Sequence, residues 1–124
     1  MNTKISPENL IGLLDRDAEL ALIDVREEGV FGQSHLLFAA NIPLSRLEPR
    51  FAEKITRRGT PIVLVDDNDG LADRAAKILA QLGYQQVQIL DGGTQAWAAA
   101  GYELFSGLNV PSKAFGEYVE HAYG

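Results

Sequence analysis

The 124-residue chain contains no cysteine, which excludes disulfides, thiolate metal sites and a thiol nucleophile anywhere in it. Histidine is scarce too. His35 and His121 lie far apart in the chain, so no metal site is expected. Positive charge is outnumbered: 11 Lys and Arg face 17 Asp and Glu, for a formal net charge of −6. With no basic stripe to neutralise phosphates, nucleic acid is excluded as a main partner, and the Arg57 and Arg58 pair is too small to change that. No stretch approaches the roughly 18 apolar residues of a membrane span, and MNTKISPENL lacks the basic start and apolar core of a secretory leader. The expectation is a cytoplasmic protein without membrane contact, metal or cofactor.

What the chain does contain is a 46% hydrophobic content, enough to bury the core of one domain of this length. Ser6 before Pro7 reads as a cap with proline at the first helical position, so residues 7–14 are expected to form a short helix. ELALIDV, residues 19–25, and PIVLV, residues 61–65, are short apolar runs suited to buried strands. AANIP, residues 39–43, is a further short strand, and SRLEPRFAEKI has helical content interrupted by Pro49. From Leu71 the apolar positions Ala75, Ile78, Leu79 and Leu82 recur at helical spacing, and Gly83 supplies the stop. QVQIL, residues 86–90, is a strand; Asp91-Gly92-Gly93 is a turn; Thr94 to Gly101 is a short helix. Strand and helix alternate throughout, which implies an α/β fold with a mainly parallel sheet and helices on both faces. In the tail, Ser112 is expected to cap a short helix with Phe115, Tyr118 and Val119 on one packing face.

The stretch VLVDDNDGLADR, residues 63–74, carries the chemical question, because three acids stand where a strand hands over to a helix. Taken alone it supports two phosphate chemistries. VLVDDN followed by a helix, LGY, a strand and DGG resembles the opening of a phospho-receiver domain, but no aspartate follows Asp91 to accept the phosphoryl group. Asp67-Asn68-Asp69-Gly70 resembles the D-x-D-G motif of haloacid-dehalogenase-type phosphatases, in which a carboxylate nucleophile works with magnesium. Against that, Leu71 replaces the usual hydroxyl residue, and some sixty residues precede a motif that normally comes first.

A third pattern runs through residues 5–105. LIDVREEGVFGQSHLLFAANIPL, residues 22–44, resembles the rhodanese signature of a D-V-R-E segment followed by G-H-I-P-G-A-x-N-I-P. PIVLV then stands where that family has the strand leading to its active-site loop. LADRAAKILAQLGYQQVQILDGGTQAWAAAGY, residues 71–102, is similar to its helix, LGY, strand, L-x-G-G and tryptophan pattern. The resemblance implies a three-layer α/β/α sandwich with a sheet of about five strands over residues 1–105. Residues 106–124 would then be a linker or helix leading toward a further domain of a tandem protein. Such a parent would be a thiosulfate or 3-mercaptopyruvate-type sulfurtransferase.

In active rhodaneses a cysteine directly after this strand attacks a sulfane sulfur and carries it as a persulfide. Backbone N–H groups of a tight loop opening onto a helix favour the anionic sulfur. Here that position is Asp66, and the corresponding loop is Asp66, Asp67, Asn68, Asp69, Gly70, Leu71 and Ala72. A carboxylate forms no persulfide, so the resemblance implies an inactive domain whose partners are sister rhodanese domains of the same protein. Two roles are open for Asp66: its carboxylate fills the anion cradle as a cap, or the acidic loop takes a small ion or a basic patch. Supporting residues are Asp24, Arg26, His35 and Arg74, the last able to pair with Asp66 or Asp69. Ser34, Leu37 and Phe38 depart from the family's glycine, proline and glycine around His35.

Overall fold

The computed structural model describes residues 3–107 and the backbone of two short strands beyond them. The chain runs β1 (Thr3–Ile5), α1 (Pro7–Asp15), β2 (Ala21–Asp24), α2 (Glu28–Gln33), β3 (Ala40–Asn41), a 3-10 turn (Leu44–Arg46), α3 (Leu47–Lys54), β4 (Ile62–Val65), α4 (Leu71–Gln81), β5 (Val87–Leu90) and α5 (Gly93–Ala99). Five strands form one all-parallel sheet in the order β1-β5-β4-β2-β3. The α/β class and parallel sheet expected from the alternation, and the five strands that the resemblance implies, are therefore observed.

Burial explains why the strands are apolar at consecutive positions. In β2 and β4, Ala21, Ile23, Ile62 and Leu64 face one layer, with Phe51 of α3 and Ala75 and Leu79 of α4. Leu22, Val63 and Val65 face the other, with Leu10 of α1, Phe31 of α2 and Trp97 of α5. Successive side chains of a strand point to opposite faces, so a sheet covered on both sides demands apolar residues at every position. Trp97 is a core residue; its indole N–H donates to the Glu103 carbonyl at 3.1 Å.

Ser6 caps α1 through its side chain, with Pro7 at the helix start. Pro49 does not interrupt a helix. It sits in the first turn of α3, where a missing N–H costs nothing because the leading N–H groups have no intrahelical partner. Two elements escaped sequence reading, β1 and α2. Both are too short to display a period, and β1 exists through its pairing with β5, Thr3 opposite Gln88 and Ile5 opposite Leu90.

The tail differs from expectation. Pro111–Ala114 and Glu117–Glu120 form an antiparallel pair, β6 and β7, in place of a Ser112-capped helix. Gly116 would lie inside that short helix at a cost of about 1 kcal/mol relative to alanine, and helices so short are marginal without packing. Phe115 lies outside the described residues.

The sheet order places the site. The chain leaves β2 toward the β3 edge and leaves β4 toward β5, so the loops following these neighbours diverge at their carboxyl ends. Such a switch point opens a crevice in parallel sheets. Asp24, opposite Val65 in register, and Asp66, one residue beyond β4, both stand there.

Candidate functional site: an aspartate-filled loop

Asp66 is almost fully buried, at 3% exposure. Its Oδ1 accepts the Asn68 N–H and its Oδ2 the Ala72 N–H, each at 2.9 Å. The loop can turn back on its own carboxylate because Asn68 and Gly70 adopt left-handed conformations, with φ of 62° and 90°. Gly70, the residue before α4, offers no side-chain cap. The Asp66 carboxylate takes over that task from four residues upstream, satisfying an amide of the first turn and facing the positive end of the helix.

A second element holds the loop from outside. The Thr94 N–H donates to the Asp66 carbonyl at 3.0 Å, and the Thr94 hydroxyl donates to Asp67 Oδ1. Gly93 makes this approach possible. A Cβ there would lie 2.5 Å from the Asp66 carbonyl oxygen and 2.6 Å from the Asn68 nitrogen. Glycine at 93 is thus read as a close backbone approach, whereas the clamping role of Thr94 had no sequence signal beyond its place after the glycine pair.

Asp24 and Arg26 form the third support. Both are buried. The Arg26 guanidinium meets the Asp24 carboxylate with Nε at 3.0 and 3.2 Å and Nη2 at 2.8 Å, and the Arg26 N–H adds a bond to Asp24 Oδ1 at 3.0 Å. Arg26 also reaches Asp67 Oδ1 at 3.2 Å and the Ser34 carbonyl at 2.6 Å. Asn41 closes the turn behind it by donating to the carbonyls of Asp24 and Arg26 at 3.0 and 2.8 Å. Burial pushes the Asp24 carboxyl above its ordinary range, outweighing the downward pull of Arg26. Arg26 is itself disfavoured by burial, but the carboxylates of Asp24 and Asp67 more than compensate and hold it protonated.

The remaining candidates lie outside this bonded network. Asp69 is exposed. Arg74 pairs with neither Asp66 nor Asp69 among the described residues. Instead it lines a groove of about 390 Å³ with Glu27, Leu44, Ser45, Leu71 and Ile78, because the first turn of α4 points its side chain away from the inward-folded loop. His35 is fully buried, and its ring faces the carbonyls of Leu36 and Gly107. Among the described residues no three His, Asp or Glu side chains gather to hold a metal ion, and no helix is long and apolar enough to cross a membrane.

Residues 6–100 match the model of the rhodanese-like domain. The chain belongs to the rhodanese-like family. Its fold superposes on a thiosulfate sulfurtransferase from Pseudomonas aeruginosa with a TM-score of 0.81 and 48% identity, over 85% of this chain and 20% of that one. It is 33% identical to the uncharacterized protein slr1261 of Synechocystis, over 89% of this chain and 60% of the relative. It is also 28% identical to the thiosulfate sulfurtransferase GlpE of Tolumonas auensis, over 77% of this chain and 87% of the relative. The chain thus spans only part of the first two proteins.

Within this rhodanese-like domain the acidic stretch changes meaning. The phosphatase and receiver readings find no support: the matched family is a different one, and Asp67, the candidate phosphatase nucleophile, is engaged by Arg26 and Thr94.

Proposed function

We propose that this rhodanese-like domain is a non-catalytic module of a sulfurtransferase-family protein, with aspartate standing in the place of the sulfur-carrying cysteine. The observation that carries this reading is the Asp66 carboxylate, buried and bonded to the Asn68 and Ala72 N–H groups. Those are the groups an anionic sulfur would need, and here they are already occupied. A carboxylate has no sulfane sulfur to give, and the chain has no cysteine to substitute for it. The loop also carries the exposed carboxylate of Asp69, which adds like-charge repulsion toward incoming thiosulfate.

The domain then serves as a structural, binding or regulatory unit beside catalytic sister domains in the cytoplasm. Residues 1–105 would be the amino-terminal unit and residues 106–124 its connection onward. Support comes from the Pseudomonas aeruginosa thiosulfate sulfurtransferase, of which this chain spans 20% at 48% identity.

Thiosulfate:cyanide turnover by the purified domain is expected to equal that of a heat-killed control, and turnover above it would refute the inactive reading. The variant Asp66→Cys tests the loop. Its thiolate would attack the sulfane sulfur of thiosulfate, forming a new S–S bond as sulfite leaves with the electron pair of the broken one. Intact-mass detection of one added sulfur atom is the expected result; failure of a folded variant to gain it would show that the loop has lost more than its nucleophile.

A further inference from the structure

We propose that the groove lined by Arg74 is a self-association surface, filled by the same face of a second copy of this chain. Three elements build it. Leu71, Arg74 and Ile78 recur at helical spacing along one side of α4, and Leu44 and Ser45 of the 3-10 turn and Glu27 at the start of α2 complete the lining. Leu44, Leu71 and Ile78 pack on the core from outside and stay partly open to water, so the floor is apolar. The two charges of the groove do not meet. Among the described residues Arg74 makes no ion pair, and Glu27 is bonded through Oε2 alone, which accepts the Ser45 hydroxyl at 2.9 Å.

Such a groove demands of its occupant a carboxylate for Arg74, a cation for Glu27 and an aliphatic side chain for the floor. The face that contains the groove offers all three. Val30 is the one large hydrophobic residue that is exposed among the described residues, at 41%. Its N–H donates to the Glu27 carbonyl at 3.1 Å, so it stands one turn along α2 from Glu27 and on the same side. In a two-fold arrangement a surface meets its own copy, and every contact occurs twice. Glu27 of each chain then pairs with Arg74 of the other, while Val30 of each covers the other's apolar floor. The crossed ion pairs offset part of the repulsion between chains that each carry a net charge of −6. A partner of one charge sign fits worse, because it sets either Glu27 or Arg74 against its like. The patch is small, so the association is weak.

Sedimentation equilibrium of the whole 124-residue chain tests this. The wild type is expected to show a monomer–dimer equilibrium at concentrations up to about 1 mM. Glu27→Arg and Arg74→Glu should each weaken self-association at least about tenfold, because each change sets two pairs of like charges face to face. Val30→Ser should weaken it as well. The two charge-reversed variants mixed in equal amounts should associate again, since one chain then offers two cations and the other two carboxylates. A role confined to one chain's own fold gives no such rescue. A wild type that stays monomeric over the whole range, a dimer indifferent to both reversals, or a mixture that remains monomeric overturns the proposal. If circular dichroism shows that a reversed variant does not fold, the wild type alone decides: rising concentration must shift the NMR amide signals of Val30, Leu71 and Ile78, and self-association that leaves them unmoved overturns it.

Discussion

Replacing Asp66 by alanine deprives two backbone N–H groups, the buried one of Ala72 and the partly buried one of Asn68, of their acceptor at once. The Asn68 and Ala72 amides each donate to this carboxylate at 2.9 Å, and charge-assisted bonds of this kind contribute about 1.5–3 kcal/mol each. The gross loss is thus about 3–6 kcal/mol. Removing the carboxylate also removes the cost of burying it, and no cation pairs with Asp66 among the described residues to have lowered that cost. A net destabilisation of about 2–3 kcal/mol remains, which for a domain of this size lowers the melting temperature by about 8–12 °C. Thermal melts followed by circular dichroism at neutral pH measure it directly. Formate should restore part of the loss in Asp66→Ala, because a free carboxylate that binds only the folded loop stabilises it by mass action, and it should leave the wild type unchanged. An Asp66→Ala protein melting within about 1 °C of wild type would refute the conclusion that the carboxylate holds the loop.

Four further perturbations probe the loop's supports and the rest of the fold. Arg26→Met leaves the fully buried Asp24 carboxylate unpaired and should cost about 3–5 kcal/mol in urea unfolding. Since burial already raises the Asp24 carboxyl, the folded variant favours its protonated form. Its stability should be best retained in acid and lost as pH rises through the raised value, so the deficit at pH 4 must be smaller than at pH 7. Gly93→Ala forces a Cβ to within 2.5 Å of the Asp66 carbonyl oxygen and should cost about 3 kcal/mol or more in thermal unfolding. Gly101→Ala also has positive φ but meets nothing within 4 Å, so it should lose only about 1 kcal/mol in the same melts. Burial raises the Tyr84 hydroxyl above its ordinary value, against the pull of Arg58. Stability from it is present below the unfolded value and lost as pH rises through the folded one. Ultraviolet titration should show one tyrosine ionising last, absent in Tyr84→Phe.

The sequence disclosed the sheet because the central strands are short, mostly apolar runs, and disclosed α4 because Leu71, Ala75, Ile78 and Leu79 repeat at 3.6 residues. It disclosed the loop through order and spacing of segments rather than through its own letters, which favour phosphate chemistry. Geometry that depends on distant pairings was not legible. Nothing about Thr94 says that its hydroxyl meets Asp67, and nothing about Arg74 says that it turns outward while Arg26, 48 positions earlier in the chain, supplies the loop's guanidinium. The tail misled because a capping serine and spaced aromatics satisfy a helical template locally, while strand pairing depends on a partner segment.

The alternation of β2 and β4 has a mechanical consequence. Leu64 belongs to one hydrophobic layer and Val63 and Val65 to the other, so these strands are party walls between two cores. Stripping the helices from either side would expose half of each wall to water and loosen the hydrogen-bonded frame on which the other side packs. Neither half has a separate foundation, and unfolding should proceed as one cooperative transition, with signals from Trp97 on one side and Tyr84 on the other changing together.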